Sequence, residues 1–223
     1  MDFMKWLNSL DELLYEVMSW LLFFPITLWR AAVRPLTLMD EVDRQQALPE
    51  DQQYASLLSP PLFLALALLL AHATAMALGQ TDAIIANTDG LASLINDTTT
   101  ALVLRVVVFA SFALCLAARL VRSRRAPLSR LRLRLPFYEQ CYPVAIFALG
   151  LSLGTSFAGM ADTATHMLGM ALIALSVLYF SVTETRWFAD RRGVGYPRAI
   201  GNVAWAIVEA LLLMIAIGFL FTR

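Results

Sequence analysis

Three ionisable residues interrupt runs that are otherwise apolar: His72, Arg105 and Glu209. An ionised side chain at the centre of a helix in hydrocarbon costs roughly 2.5–3.5 kcal/mol on insertion scales, so each of them asks for a partner or a task. His72 falls in the middle of the apolar run 61–78 and Glu209 in the first half of 203–221. At about 1.5 Å of helix rise per residue, both depths fall near the middle third of a bilayer. Arg105 lies about one turn into the run 101–121, from where its long side chain can snorkel to water or reach toward Glu209. Two chemistries are open: a proton or ion site shared by His72, Glu209 and Arg105, or an Arg105–Glu209 pair that only fixes helix packing. A lone Glu209 could also simply be a neutral acid. Glu209→Gln separates the last two, because it leaves the melting temperature of a neutral acid unchanged and lowers that of an ion pair.

Other residues point to packing and lipid contact. Gly150 and Gly154 stand four apart, followed by Thr155, Ser156 and Gly159, and small residues at this spacing let helix backbones approach closely. Gly169 and Gly218 fit the same reading. Arg122, Arg124, Arg125, Arg130, Arg132 and Arg134 crowd one short segment, interleaved with Leu128, Leu131, Leu133 and Leu135. A juxtamembrane basic cluster of this kind sets topology and meets anionic lipid headgroups. His166, near Asp162, reads as an interfacial histidine, since the chain offers no third ligand for a metal. Cys115 and Cys141 read as small packing residues. No Ser/His/Asp set, thiol nucleophile with a base, or shared acid pair is present. The expectation is a non-enzymatic protein with no cofactor, no metal and no nucleic-acid partner.

The elements that carry these residues follow from composition. Of 223 residues, 59% are hydrophobic and only 15% charged, against about 45–50% and about 25% in soluble domains. The excess is blocked rather than periodic, and a run of ~18 or more apolar residues matches a bilayer core of roughly 30 Å. The predicted fold is an all-α integral membrane protein of five transmembrane helices, over about 61–78, 101–121, 143–160, 165–182 and 203–221. Ahead of them, residues 1–33 read as an amphipathic helix lying in the interface, with Trp6, Trp20 and Trp29 as anchors. A further span over 13–33 is the alternative. Residues 34–60 form a polar linker too charged to insert, and Pro60 suits the first turn of the first span.

Charge sets the orientation. Seven Arg lie between 119 and 134 and four between 186 and 198, whereas the connections after the first and third spans carry Asp and no Lys or Arg. The positive-inside rule then predicts a cytoplasmic N-terminus, an outer C-terminus and two cytoplasmic Arg-rich loops.

This layout resembles the Yip family of five-span, Rab-associated membrane proteins, and more closely its bacterial relatives labelled permeases. The features that carry the likeness are Arg34-Pro35, Leu58-Ser59-Pro60-Pro61-Leu62-Phe63 before the first span, and Pro136-Phe137-Tyr138 before the third. Eukaryotic members have an Asp-Leu-Tyr-Gly-Pro type sequence where this chain has Leu57-Leu58-Ser59-Pro60-Pro61, so the resemblance implies no Rab binding. It implies a multi-pass protein of a bacterial inner membrane, a small-solute or ion permease. The competing expectation is a non-transporting scaffold that organises lipids, further copies of itself or partner proteins.

Overall fold

A computed structural model describes residues 2–49, 52–79, 98–124 and 127–222. Among them it forms seven α-helices: α1 (Asp2–Val33), α2 (Pro35–Gln46), α3 (Pro60–Ala77), α4 (Thr98–Ser123), α5 (Arg130–Ala158), α6 (Thr163–Arg192) and α7 (Tyr196–Thr222). Arg125, the connection 80–97 and the side chains of the first eight residues and of Gly218 lie outside the described residues. Six of the helices are long and apolar enough to cross a bilayer, and α2 is the exception. Their outward faces are apolar too: Leu175, Leu178, Leu212 and Ile215 are each about 60% exposed. Large contiguous apolar surface of this kind is untenable in water and natural against lipid tails. The chain is a multi-pass α-helical membrane protein.

The boundaries differ from expectation at one end of the bundle. α5 begins at Arg130, thirteen residues before the run predicted from 143, and α6 continues to Arg192, ten residues past 182. At about 1.5 Å per residue the two helices extend roughly 15–20 Å beyond their apolar runs. Local chemistry explains both. Ser129 accepts from the Arg132 backbone N–H and caps α5, whose Pro136 and Pro143 remain within one continuous helix. α6 stops where Gly193 turns left-handed (φ 57°), a conformation that costs glycine least. At its other end Asp162 caps α6, and the Thr165 backbone N–H, then its hydroxyl, hold that carboxyl below the usual carboxylate range.

Within the polar linker 34–60, residues 35–46 fold as a helix. The residue before a proline is disfavoured in the α region, so the helix breaks at Arg34 (φ −133°) and restarts with Pro35 in its first turn. The resulting α2 buries Leu38, Met39 and Val42 against the extended ends of α5 and α6. α3 starts at Pro60, as its sequence predicts. α5 is the hub, packed against α6, α3, α4, α2 and α1. Aromatic rings fill the seams, with Phe147 stacked on Phe180 at 4.6 Å and Phe63 set between Phe24 and Tyr142.

Two tyrosines repair backbone groups that prolines and turns leave open. Pro35 has no N–H to donate to the Ala31 carbonyl four residues back, and the Tyr179 hydroxyl donates to it instead at 2.7 Å. The Leu58 carbonyl, just ahead of α3, accepts from the buried Tyr142 hydroxyl at 2.7 Å. Along the α5–α6 seam, a Cβ built on Gly169 would stand 2.2 Å from the Ala158 nitrogen, and one on Gly154 2.7 Å from Ile173. A Cβ on Gly150 would meet the Ser176 hydroxyl at 2.1 Å.

Two stability measurements in detergent test this packing. Gly169→Ala forces backbone apart and is expected to cost about 1–3 kcal/mol. Tyr179→Phe leaves a buried carbonyl bare and is expected to cost about 1–3 kcal/mol. Unfolding curves that coincide with wild type would contradict either assignment.

Candidate functional site

The extended ends of α5 and α6, covered by α2, hold a dense polar cluster. Arg191 of α6 is its centre. Its guanidinium donates to Glu139 of α5 at 2.9 Å, pairs with Asp43 of α2, and lies 3.5 Å from Asp40. The same guanidinium sits 4.3 Å over the ring of Trp187, a cation–π contact one turn back on α6. Arg30 of α1 pairs with Glu41 of α2, so both flanks of the short helix are tied down by charge.

Deeper in lies Glu184, a carboxylate with no exposed surface, on the same α6 stripe as Trp187, Phe188 and Arg191. The three-, four- and seven-residue spacing turns all four side chains toward α5. Gln140, also fully buried, lies beside Glu184, its amide directed at the carboxylate. Apart from one another, neither the Gln140 amide nor the Glu184 carboxylate has a hydrogen-bond partner among the described residues. Glu139 stands next to Gln140 along α5 and is itself 2% exposed. The site thus has two layers: a salt-bridged lid of Arg191, Glu139, Asp43 and Asp40, and beneath it a carboxylate–amide pair without partners of its own. Taking an ionised carboxylate out of water without compensation is prohibitive, so Glu184 needs a proton or a cation.

Of the three residues singled out in the apolar runs, Glu209 sits apart from the other two. α3, carrying His72, packs on α5 and α4, whereas α7, carrying Glu209, packs on α4 and α6. His72 and Glu209 therefore belong to different interhelical seams. Glu209 accepts from the Trp205 indole at 2.9 Å and lies 3.7 Å from Arg122. Its cation is thus Arg122, reaching back from the end of α4. Arg105 stands seventeen residues earlier on α4, about 25 Å along the helix. His72 is buried in α3.

The basic segment divides by role. Arg122 turns to Glu209, Arg119 donates to Asn202 on α7 at 3.2 Å, and Arg132 reaches the Pro127 carbonyl. Arg124, Arg130 and Arg134 are exposed. Gly150 and Gly154 lie in the tight α5–α6 seam. The His166 Nδ1 lies 2.6 Å from the Ala158 carbonyl and must carry the proton, since a carbonyl only accepts. Cys115 and Cys141 are both free thiols.

Glu139, Glu184 and Arg191 escape a reading based on apolar runs because they fall just beyond those runs, where a loop is expected. The available signal is the spacing Glu184, Trp187, Phe188, Arg191, which continues the helical stripe of Ser176, Phe180 and Thr183. No protein-family model matches the chain, and neither a characterised protein nor a solved structure shows significant similarity to it.

Arg191→Met strands the buried Glu139 and is expected to destabilise the protein by about 3–5 kcal/mol. Adding Glu139→Gln should recover a substantial part of that loss. A double-mutant cycle in detergent measures the coupling, and strictly additive effects would dissolve the proposed pair.

Proposed function

We propose that this chain is an inner-membrane permease for a small cation or proton, with Glu184 as the carboxylate that takes up the charge. The observation that carries this reading is Glu184 itself: fully buried, with the Gln140 amide beside it and no cation against its carboxylate among the described residues. Ionisable groups buried inside the bundle of a membrane protein mark ion and proton pathways. Glu209, in contrast, has Arg122 and Trp205 to account for it. A cavity of about 260 Å³ lies between the α1–α2 corner and α6, lined by Arg34, Pro35, Thr183 and Arg186, on the side of α6 away from the Glu184 carboxylate.

In this reading the α2 end faces the cytoplasm, where the Arg-rich segments belong. The same reading puts the C-terminus outside and takes the chain as a Yip-like plan of five spans behind an interfacial helix. α1 supports the interfacial placement: residues 11–18 are all exposed, while Phe24, Thr27, Leu28 and Ala31 meet the bundle near the starts of α3 and α2. A sixth span over Ser9–Val33 is the alternative that length and apolarity allow.

The second reading, a scaffold without flux, draws on the same α1. Leu13, Leu14, Met18, Leu21 and Leu22 leave an apolar face open to lipid or a partner.

Proton and alkali-cation flux into liposomes carrying the purified protein tests the choice. Glu184→Gln should reduce flux about ten-fold or more, the scale of a weakened ion ligand. Glu209→Ala should leave it within about two-fold once folded protein is matched, because its role is ascribed to packing. Tight liposomes with wild-type protein across several ions would remove the permease and leave the scaffold.

A further inference from the structure

Between α4 and the first turns of α5 runs a groove of about 960 Å³, away from the Glu184 site, lined by Leu114, Leu131, Leu133, Phe137, Tyr138 and two arginines. Its size falls at the upper end of small-molecule sites, roughly 300–1,000 Å³. The arginines are Arg130 and Arg134, one helical turn apart, with Tyr138 a turn further on, so the three side chains share one stripe of α5. The Arg134 guanidinium lies 5.6 Å over the Tyr138 ring, which holds it at the groove wall. Neither Arg130 nor Arg134 has an acidic partner among the described residues. That separates them from Arg122 and Arg191, whose charge is already engaged within the protein.

The remaining lining is apolar and open to the outside of the bundle. Leu131 is 81% exposed and Leu114 44%. Leu114 lies nine residues before the end of α4, about 13 Å below the level where the basic pair begins. The groove therefore has two unpaired cations at its shallow end and an aliphatic and aromatic wall running inward from them. That gradient fits one class of molecule, an anion attached to a hydrocarbon chain.

We propose that the α4–α5 groove is a specific site for an anionic glycerophospholipid. Its phosphate sits between Arg130 and Arg134 within reach of the Tyr138 hydroxyl, and one acyl chain lies along Leu133, Phe137 and Leu114. The lipid supplies the negative charge that these two arginines lack and fills the groove between the two helices. Two guanidinia a turn apart match phosphate oxygens better than ammonium groups would. The site is independent of the cation reading, because it lies on the opposite face of α5 from Glu139, which is turned toward Arg191.

Native mass spectrometry of the protein released from nanodiscs tests this, using equal parts phosphatidylglycerol and phosphatidylcholine of identical chains. Wild type should retain phosphatidylglycerol preferentially. Arg130→Gln/Arg134→Gln should reduce that preference about 25-fold, the combined worth of two surface charges near an anionic headgroup. Arg124→Gln/Arg132→Gln carries the same loss of charge outside the groove and should leave the preference unchanged. Leu114→Trp, which fills the groove without touching charge, should reduce retention of both lipids. All the substituted residues are exposed or half-buried, so helicity and elution volume should match wild type. Equal retention of the two lipids would overturn the proposal, as would an equal effect of the two double variants, which would reduce it to diffuse surface charge. A dimer that Leu114→Trp dissociates would also overturn it and assign the groove to a second copy of the chain.

Discussion

The guanidinium of Arg191 ties three helices together by charge at one end of the bundle. Glu139 reaches it from α5, Asp43 and Asp40 from α2, and Trp187 supports it from below on α6. Three carboxylates around one cation are excessive in number, and the buried Glu139 alone would be untenable without it. Once this contact forms, α2 is pinned across the ends of α5 and α6. The α1–α2 corner must then lie beside α6, where Tyr179 can reach the carbonyl that Pro35 leaves open. The enclosed position of Glu184 and Gln140 is a consequence of the same lid.

Packing below this lid follows the rules of a bilayer rather than of water. Apolar association between helices gains little when lipid tails are equally apolar, so close contact and hydrogen bonds carry the load. The α5–α6 seam shows this in Gly154 and Gly169, where backbone meets backbone, and in Gly150, which meets the Ser176 side chain; at all three an added carbon would collide. α5 can serve as hub because its small and aromatic residues alternate around the helix: glycine toward α6, Phe147 toward both α4 and α6, Tyr142 toward α3. Polar side chains that remain in the bundle turn back to their own helix, as Thr27, Ser111 and Ser176 do through carbonyls one turn earlier.

The basic residues divide the protein's business between inside and outside. Arg119, Arg122, Arg191 and Arg192 bond to neighbouring helices and stitch the ends of α4, α6 and α7 together. Arg130 and Arg134 face outward over an apolar groove. One stretch of sequence thus yields an internal clamp and an external lipid-facing surface, according to which side of α4 or α5 each arginine occupies.

Much of the plan is legible in the amino-acid sequence, for a simple reason. Apolar runs near bilayer length permit little but helices, because hydrocarbon offers the backbone no other hydrogen-bond partner. Pro60 marks the start of α3, and Gly150 and Gly154 the tightly packed face of α5. The site was not legible in the same way. A helix that is apolar all round carries no mark of which face meets protein and which meets lipid, so Glu209 offers no hint that its cation is Arg122 rather than Arg105. Glu139, Glu184 and Arg191 lie where an apolar run ends, and an ending run reads as a loop until a partner helix is there to bury its stripe. Sequence by itself determined that this chain enters a membrane as helices; tertiary structure decided which charges meet, because only the packing of one helix on another brings residues from distant runs to the same few ångströms.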